Sequence, residues 1–265
     1  MISAYFGIRQ NPFHQENITF LNHQQEIFET LKVHSQQGGL CLVMGEPGTG
    51  KSVIKESLKN YDTKRLIAPT ISRTLHTYFN TLKILCSAFQ IEFEGDAFRC
   101  EKRIIEEAFR INHLSKMIVP IIDDAHLMDI TCLRKLRLLF EDFPKNHNLI
   151  LIGQPSLLTN ISLSVNEDIK SRVTFSTIMQ KLNPDTMEEF ILQQFDKAGL
   201  GHNTFTQDAL ALIVRSSEGV IRRARNLCLS CLLEAIRDRT KHIDLKQVNS
   251  VLLQPHWRHE RDNMV

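Results

Sequence analysis

Leu40-Cys41-Leu42-Val43-Met44-Gly45-Glu46-Pro47-Gly48-Thr49-Gly50-Lys51-Ser52 decides how this chain is read. The first five residues are apolar without alternation, the pattern of a parallel strand buried on both faces. The next eight fit G-x-x-x-x-G-K-S, a glycine-rich turn that feeds a helix running through about Leu58. Glycines let backbone N–H groups turn inward on phosphate oxygens without side-chain clashes. Lys51 is placed to neutralise β- and γ-phosphates, and the Ser52 hydroxyl to ligate Mg²⁺. The helix that starts at Lys51 aims its positive end at the anion. Gly45, Glu46, Pro47, Gly48, Thr49, Gly50, Lys51, Ser52 and Val53 are therefore the candidate nucleotide-binding residues, with ATP and Mg²⁺ as the expected ligands.

Outward from this motif, strands and helices alternate. Upstream, Phe20–Glu26 leads into Ile27, Phe28 and Leu31 at helical spacing, and Gly38-Gly39 stops that helix. Downstream, Arg65–Pro69 is a second strand, and helices follow near 74–90 and 100–115. Met117–Ile122 is a third strand, ending in Asp123-Asp124. A helix over 131–143, a fourth strand over 149–153 and a candidate fifth over 173–176 complete the alternation. Such a pattern predicts an α/β domain with a mostly parallel sheet. After about Leu182 only helices are expected. Asn183-Pro184-Asp185 opens one, with Met187, Phe190, Ile191 and Phe195 facing inward. Thr206 caps a second, Gly219 ends it, and a third runs from about Ile221 to Arg239. The expected organisation is an N-terminal segment and helix (1–38), a P-loop α/β domain (39–182), a small all-helical lid (183–255) and a tail (256–265).

Composition narrows the class. The chain has 265 residues, 42% of them apolar and 23% charged, as in ordinary soluble proteins. No apolar run approaches the roughly 18 residues of a membrane span, and Met1–Tyr5 carries no signal-peptide pattern. The six cysteines lie scattered in apolar segments, with one Cys228-x-x-Cys231 pair, and read as buried thiols of a reducing cytoplasm. A net charge of +2 implies that any basic surface is local.

In open α/β sheets, ligands sit at the carboxyl ends of strands. Asp123 is thus the candidate Mg²⁺-side carboxylate, acting through water, and Asp124 is placed to orient an attacking water. The alternative is that both acids cap a helix near residue 127. Gln154, just past the fourth strand, is placed to hydrogen-bond a γ-phosphate or the attacking water.

Taken together, these residues resemble the ExeA-like AAA+ ATPases. Tyr5-Phe6-Gly7-Ile8-Arg9-Gln10-Asn11-Pro12-Phe13 looks like the N-terminal FGL-x-x-x-PF signature of that group. The resemblance continues through Gly45–Ser52, Ile121–His126, Leu151–Pro155, Ser171-Arg172-Val173 and Gly219–Leu227. It implies a Glu at the position of Asp124. Asp is one methylene shorter, so hydrolysis is expected to be slow. The resemblance also implies that Gln154 is a sensor, where Asn, Ser or Thr is commoner, and that Arg172 is a finger completing the site of a neighbouring subunit, with Lys170 as a rival. Arg222 would be a second sensor, with Arg223 as its alternative. A homo-oligomer, ring or helical filament, is expected.

The same group includes TnsC-, TniB- and MuB-like partners of DDE transposases. Secretion members extend into a membrane span and a peptidoglycan-binding region. The chain given ends at Val265 before either, which favours the compact transposition regulators. That resemblance implies ATP-dependent assembly on double-stranded DNA and recruitment of a DDE transposase, with a target-selection protein as a further partner. The readings left open are a secretion or envelope-assembly ATPase and an initiator-like loader. For DNA, the candidates are Arg73, Lys102 and Arg103. The competing reading pairs Lys102 and Arg103 with Glu106 and Glu107 on a solvated helix face. The basic His256–Arg261 tail is a rival DNA element.

Overall fold

The computed structural model describes residues 1–13, 20–71, 77–93 and 95–257. Their contacts divide the chain into two compact units. One holds the described residues of 19–179. The other joins those of 1–18 to those of 180–265. A short helix, α1 (Ile2–Phe6), opens the chain and belongs to the second unit.

The α/β unit starts with α2 (Asn22–Gln37), which stops at Gly38, where φ is 77°. It continues through β1 (Gly39–Gly45), α3 (Lys51–Asn60), β2 (Leu66–Ile67), β3 (Thr70–Ile71), α4 (Tyr78–Ala88) and α5 (Ala97–His113). Then come β4 (Met117–Ile118), β5 (Ile121–Ile122), α6 (Ile130–Glu141), β6 (Asn148–Gly153), α7 (Ser156–Ile161), α8 (Glu167–Lys170) and β7 (Val173–Met179). Five strands pair in the order β3-β5-β6-β1-β7, all parallel.

The apolar run of β1 is explained by this position. Hydrogen bonds to β6 and β7 satisfy both of its edges. Leu40, Leu42 and Met44 pack on one face with Leu82 and Leu85 of α4, Ile104 of α5 and Leu136 of α6. Cys41 and Val43 pack on the other with Leu31 of α2 and with Ile54 and Leu58 of α3. Full burial of a Leu, Val or Met side chain contributes about 1.5–3 kcal/mol, so the run from Leu40 to Met44 holds the helix layers in place on both faces. By contrast β7, at the sheet edge, alternates between half-buried and exposed residues up to its last one, Met179, which is buried.

Two strands expected as single runs are interrupted. Residues 66–71, which run past the expected end at Pro69, and 117–122 form two parallel pairs, β2 with β4 and β3 with β5. The ladder on that side is continuous, since Met117, Val119, Ile121 and Asp123 donate to Arg65, Ile67, Pro69 and Ile71. The Pro120 carbonyl accepts from Ile150 of β6, so proline's missing N–H falls on the β6 side and breaks the ladder there. Of the two halves of 117–122, only β5 then joins the main sheet, with β3 on its outer side. The expected helix at 74–90 is α4, and the part of that expectation over 74–76 lies outside the described residues.

The helical unit contains α9 (Pro184–Ala198), α10 (Gln207–Ser217), α11 (Ile221–Arg237) and α12 (Leu245–Leu252). Asn183 caps α9 through Thr186 N–H, and Thr206 caps α10 through Ala209 N–H. Helix α12 is not expected from sequence, because its single buried face of Gln247, Val248 and Val251 spans only eight residues. From sequence, residues 1–38 read as one segment. In the structure the N-terminal stretch instead packs within the helical unit. Arg9 N–H donates to Ala198 O at 3.0 Å, and Phe13 lies 6.1 Å from both Phe190 and Phe195, ring to ring.

His147, just before β6, is buried, and burial lowers its pKa from 6.5 to about 4. The unfolded chain therefore binds the proton more tightly, and the stability this neutral ring contributes above pH 6.5 is lost as the pH falls toward 4. Melting temperature measured against pH should fall more steeply over this window in the parent than in His147→Gln; equal slopes would show that the ring does not control acid stability.

Candidate functional site

The phosphate-loop residues sit between the carboxyl end of β1 and the first turn of α3. Gly48 and Gly50 have φ of 89° and 102°, conformations that favour glycine. Gly45 is required by close approach rather than by φ. A Cβ there would lie 2.7 Å from Thr49 Oγ1 and 3.1 Å from Met179 Cβ. Thr49 is buried, and its hydroxyl donates to Glu46 O at 2.9 Å, which closes the turn. The Lys51 ammonium donates to Gly45 O at 2.7 Å and Glu46 O at 2.8 Å, so its charge is folded over the loop. Ser52 is exposed on the first turn, and Val53 N–H donates to Gly50 O. A glycine loop, an ammonium and a helix N-terminus together form a cradle that suits phosphate.

Parallel pairing brings Asp123, Asp124 and Gln154 to the same edge of the sheet. Met44 pairs with Gly153, so Gln154 is level with Gly45. Ile122 pairs with Leu151, which sets Asp123 and Asp124 past the end of β5, level with the end of β6. Strands are about 4.8 Å apart, so roughly 10 Å separates the strand of Asp123 from that of the phosphate loop. A hydrated cation and a phosphate fit between them. Gln154 O also accepts Leu157 N–H at the start of α7.

Asp123 accepts Asp124 N–H on Oδ1 at 3.0 Å and Lys55 Nζ on Oδ2 at 2.8 Å. Asp124 is exposed, and its φ of 51° and ψ of 32° put it in the left-handed region, where Asp is tolerated and catalytic residues collect. Its carboxylate makes no cap bond to the short turn at Ala125–Leu127, and Asp129 is the residue that caps α6. The competing capping role therefore does not explain Asp124.

Arg172 is not brought to this edge. It precedes Val173, which pairs with Leu40 at the opposite end of β1, roughly 17 Å along the strands. Its guanidinium is largely exposed and meets Glu141 Oε1 at 3.0 Å. Arg134 anchors the same region, donating to Asp168 Oδ2 at 2.8 Å and to Asn166 Oδ1 at 2.9 Å. Lys170, the rival, pairs with Glu167 one turn back.

Arg222 and Arg223 lie in the first turn of α11, in the helical unit. Arg222 is exposed, whereas Arg223 pairs with Glu218 at 3.0 Å and lies 6.0 Å from the Trp257 ring. Of the DNA candidates, Arg73 lies outside the described residues. Lys102 and Arg103 are exposed on α5. Lys102 reaches Glu106 at 4.0 Å, but Arg103 donates to Glu92 O, and Glu107 pairs with Arg110 instead. In the tail, His256 and Trp257 form a short turn, and 258–265 lie outside the described residues.

Sequence missed two residues. Lys55 was visible as a second lysine one helical turn past Lys51, yet nothing local marks its partner, 68 residues away. His126 packs under Gly153, where an added Cβ would come within 3.1 Å of its backbone nitrogen. Its buried Nδ1 has no hydrogen-bond partner among the described residues.

Residues 33–161 match the family described as AAA domain. The fold is that of a P-loop AAA+ domain. General secretion pathway protein A of Aeromonas hydrophila is 27% identical over 247 residues, covering 89% of this chain and 45% of that protein. The chain thus spans less than half the length of that relative. The Aeropyrum pernix ORC2 protein, solved as ADPNP–ADP complexes, superposes with a TM-score of 0.71 at 13% identity, over 93% of this chain and 72% of that one. The ORC1 protein of the same organism, solved in complex with DNA, gives 0.68 at 14% identity, over 89% and 66%. At these identities the structural matches speak for the AAA+ fold alone. The specific likeness to transposition regulators is not among these findings.

Lys51 carries the positive charge folded over the AAA+ phosphate loop. Its replacement by Ala is expected to weaken ATP binding at least tenfold. Titration with a fluorescent ATP analogue checks this, and unchanged affinity would remove Lys51 from the site.

Proposed function

We propose that this protein is an ATPase that assembles as a homo-oligomer on double-stranded DNA and regulates transposition by recruiting a DDE transposase. The observation that carries the ATPase part is the convergence of the Gly45–Ser52 loop, Asp123, Asp124 and Gln154 on one edge of the sheet. Lys51 and the loop N–H groups would hold the phosphates of ATP. Ser52 and Asp123 would hold Mg²⁺, whose charge neutralises the phosphate oxygens. Their donor chemistry fits a hard cation, with a hydroxyl on the first turn of α3 and a carboxylate just past the end of β5. Asp124 and Gln154 would orient the attacking water, and Arg222 would act as a second sensor.

Arg172 supports the oligomeric part. It stands at the far end of the sheet from its own phosphate loop, and its largely exposed guanidinium meets Glu141, a surface pair of small energy that a neighbour's phosphate could replace. A trans arginine can contribute about 10³-fold or more in turnover. Activity should therefore rise more than linearly with protein concentration. Mixing Arg172→Ala with Lys51→Ala subunits should restore part of the parent's turnover at mixed interfaces. No restoration at any ratio would count against the finger.

The DNA part rests on exposed Lys102 and Arg103, on the resemblance to transposition regulators, and on the likeness to a fold solved with DNA. Cytoplasmic location belongs to the same reading, and among the described residues no helix is long and apolar enough to cross a membrane. Binding to duplex should need ATP, fall steeply with salt and hardly vary with sequence. Lys102→Ala with Arg103→Ala should weaken it and flatten the salt slope while ATP binding survives. If the parent ignores duplex in the presence of an ATP analogue, the transposition reading fails. The likeness to General secretion pathway protein A favours a second reading, an ATPase of a secretion or envelope-assembly system. Electron microscopy with duplex and a non-hydrolysable analogue separates the two, since only the first gives protein-coated DNA.

A further inference from the structure

Lys55 lies one turn beyond Lys51 on α3, on the same helix face. Its ammonium donates to Asp123 Oδ2 at 2.8 Å, with the two side chains only 14% and 19% exposed. Glu56 Oε1 is the next carboxylate, at 3.9 Å. This pair differs from solvated pairs such as Lys102–Glu106, whose members are 70% and 63% exposed. It also joins two elements that the chain separates by 68 residues. A lysine serving only to pack its stem would extend the ammonium to water. Lys55 instead directs it at the carboxylate that ends β5. With Asp124 N–H on Oδ1, both oxygens of that carboxylate are engaged by the chain's own donors.

We propose that Lys55 is a built-in counter-ion of Asp123 that competes with Mg²⁺ and so sets the Mg²⁺ concentration at which nucleotide is held. The proposal rests on the reading of this site as one for Mg²⁺ and ATP. An ammonium and a divalent cation repel each other when both approach one shielded carboxylate. The pair also neutralises Asp123 when metal is absent, which removes the cost of leaving a shielded charge alone. Lys55 is a positioning residue, since it reaches the metal side of the site only through Asp123.

Two measurements test this. The first is melting in chelator without nucleotide, for the parent, Lys55→Met, Asp123→Asn and the double variant. Lys55→Met should lower the melting temperature, and should do so much less in the Asp123→Asn background. Equal losses in both backgrounds would overturn the pairing. The second is binding of a fluorescent ATP analogue as Mg²⁺ is raised. The half-saturating Mg²⁺ concentration should fall roughly three- to tenfold in Lys55→Met, the order expected when one charge leaves a partly shielded site. Lys55→Arg should keep the parent value. Lys55→Gln is the second variant should Lys55→Met not fold. A half-saturating concentration that stays or rises overturns the Lys55 proposal alone. A parent that binds no nucleotide at any Mg²⁺ concentration overturns the nucleotide reading, and this proposal with it.

Discussion

Strand β1 is hydrogen-bonded along both edges and buried on both faces. That double constraint leaves it no freedom to slip. A shift of one residue would exchange Leu42 and Met44 with Cys41 and Val43, which pack against different helix layers. The end of β1 is therefore fixed in space, and Gly45 is the point where the chain leaves it. The close approach of Gly45 to Thr49 and Met179 ties the phosphate loop directly to that fixed end.

Parallel pairing transmits the same constraint to the acidic residues. Because β5, β6 and β1 run in one direction, their carboxyl ends share an edge, and each end carries one part of the candidate site. Pro120 matters here. By breaking the ladder on the β6 side, it limits the pairing of the third strand with β6 to its last two residues, immediately before Asp123. The left-handed backbone at Asp124 then turns that carboxylate outward while Asp123 stays half-buried against Lys55. Two adjacent aspartates thus acquire separate environments, which suits separate tasks.

The opposite edge of the sheet is built differently. Arg134, Arg137, Asp168, Glu141 and Arg172 form a chain of ion pairs between α6 and the segment before β7. The outermost pair, Arg172 with Glu141, is largely exposed and contributes little by itself, whereas Arg137 at the centre is largely buried. Collectively they fix where Arg172 emerges, well away from the phosphate loop of its own sheet. The N-terminal stretch has an equally local explanation. Ile8 and Phe13 are buried, and the Phe13 ring meets Phe190 and Phe195 within the helical unit.

Local pattern sufficed for much of this. The unbroken apolar run at 40–44, the glycine spacing at 45–50 and the acids after Ile122 record their own environments. A buried parallel strand, a phosphate turn and a strand end each impose a residue type at each position. The caps at Asn183 and Thr206 were legible for the same reason, since a cap bonds within three residues. Tertiary structure alone decided what depends on distant partners. The division of 66–71 and 117–122 into paired halves follows from which neighbour Pro120 faces. The placement of residues 1–13 follows from aromatic packing across more than 170 residues. Helix α12 is too short to declare itself without the helices it covers. The pairing of Lys55 with Asp123 is the sharpest case. A lysine on a helix face looks the same in sequence whether it meets water or a carboxylate, because the difference lies in the fold that brings the end of β5 beside α3.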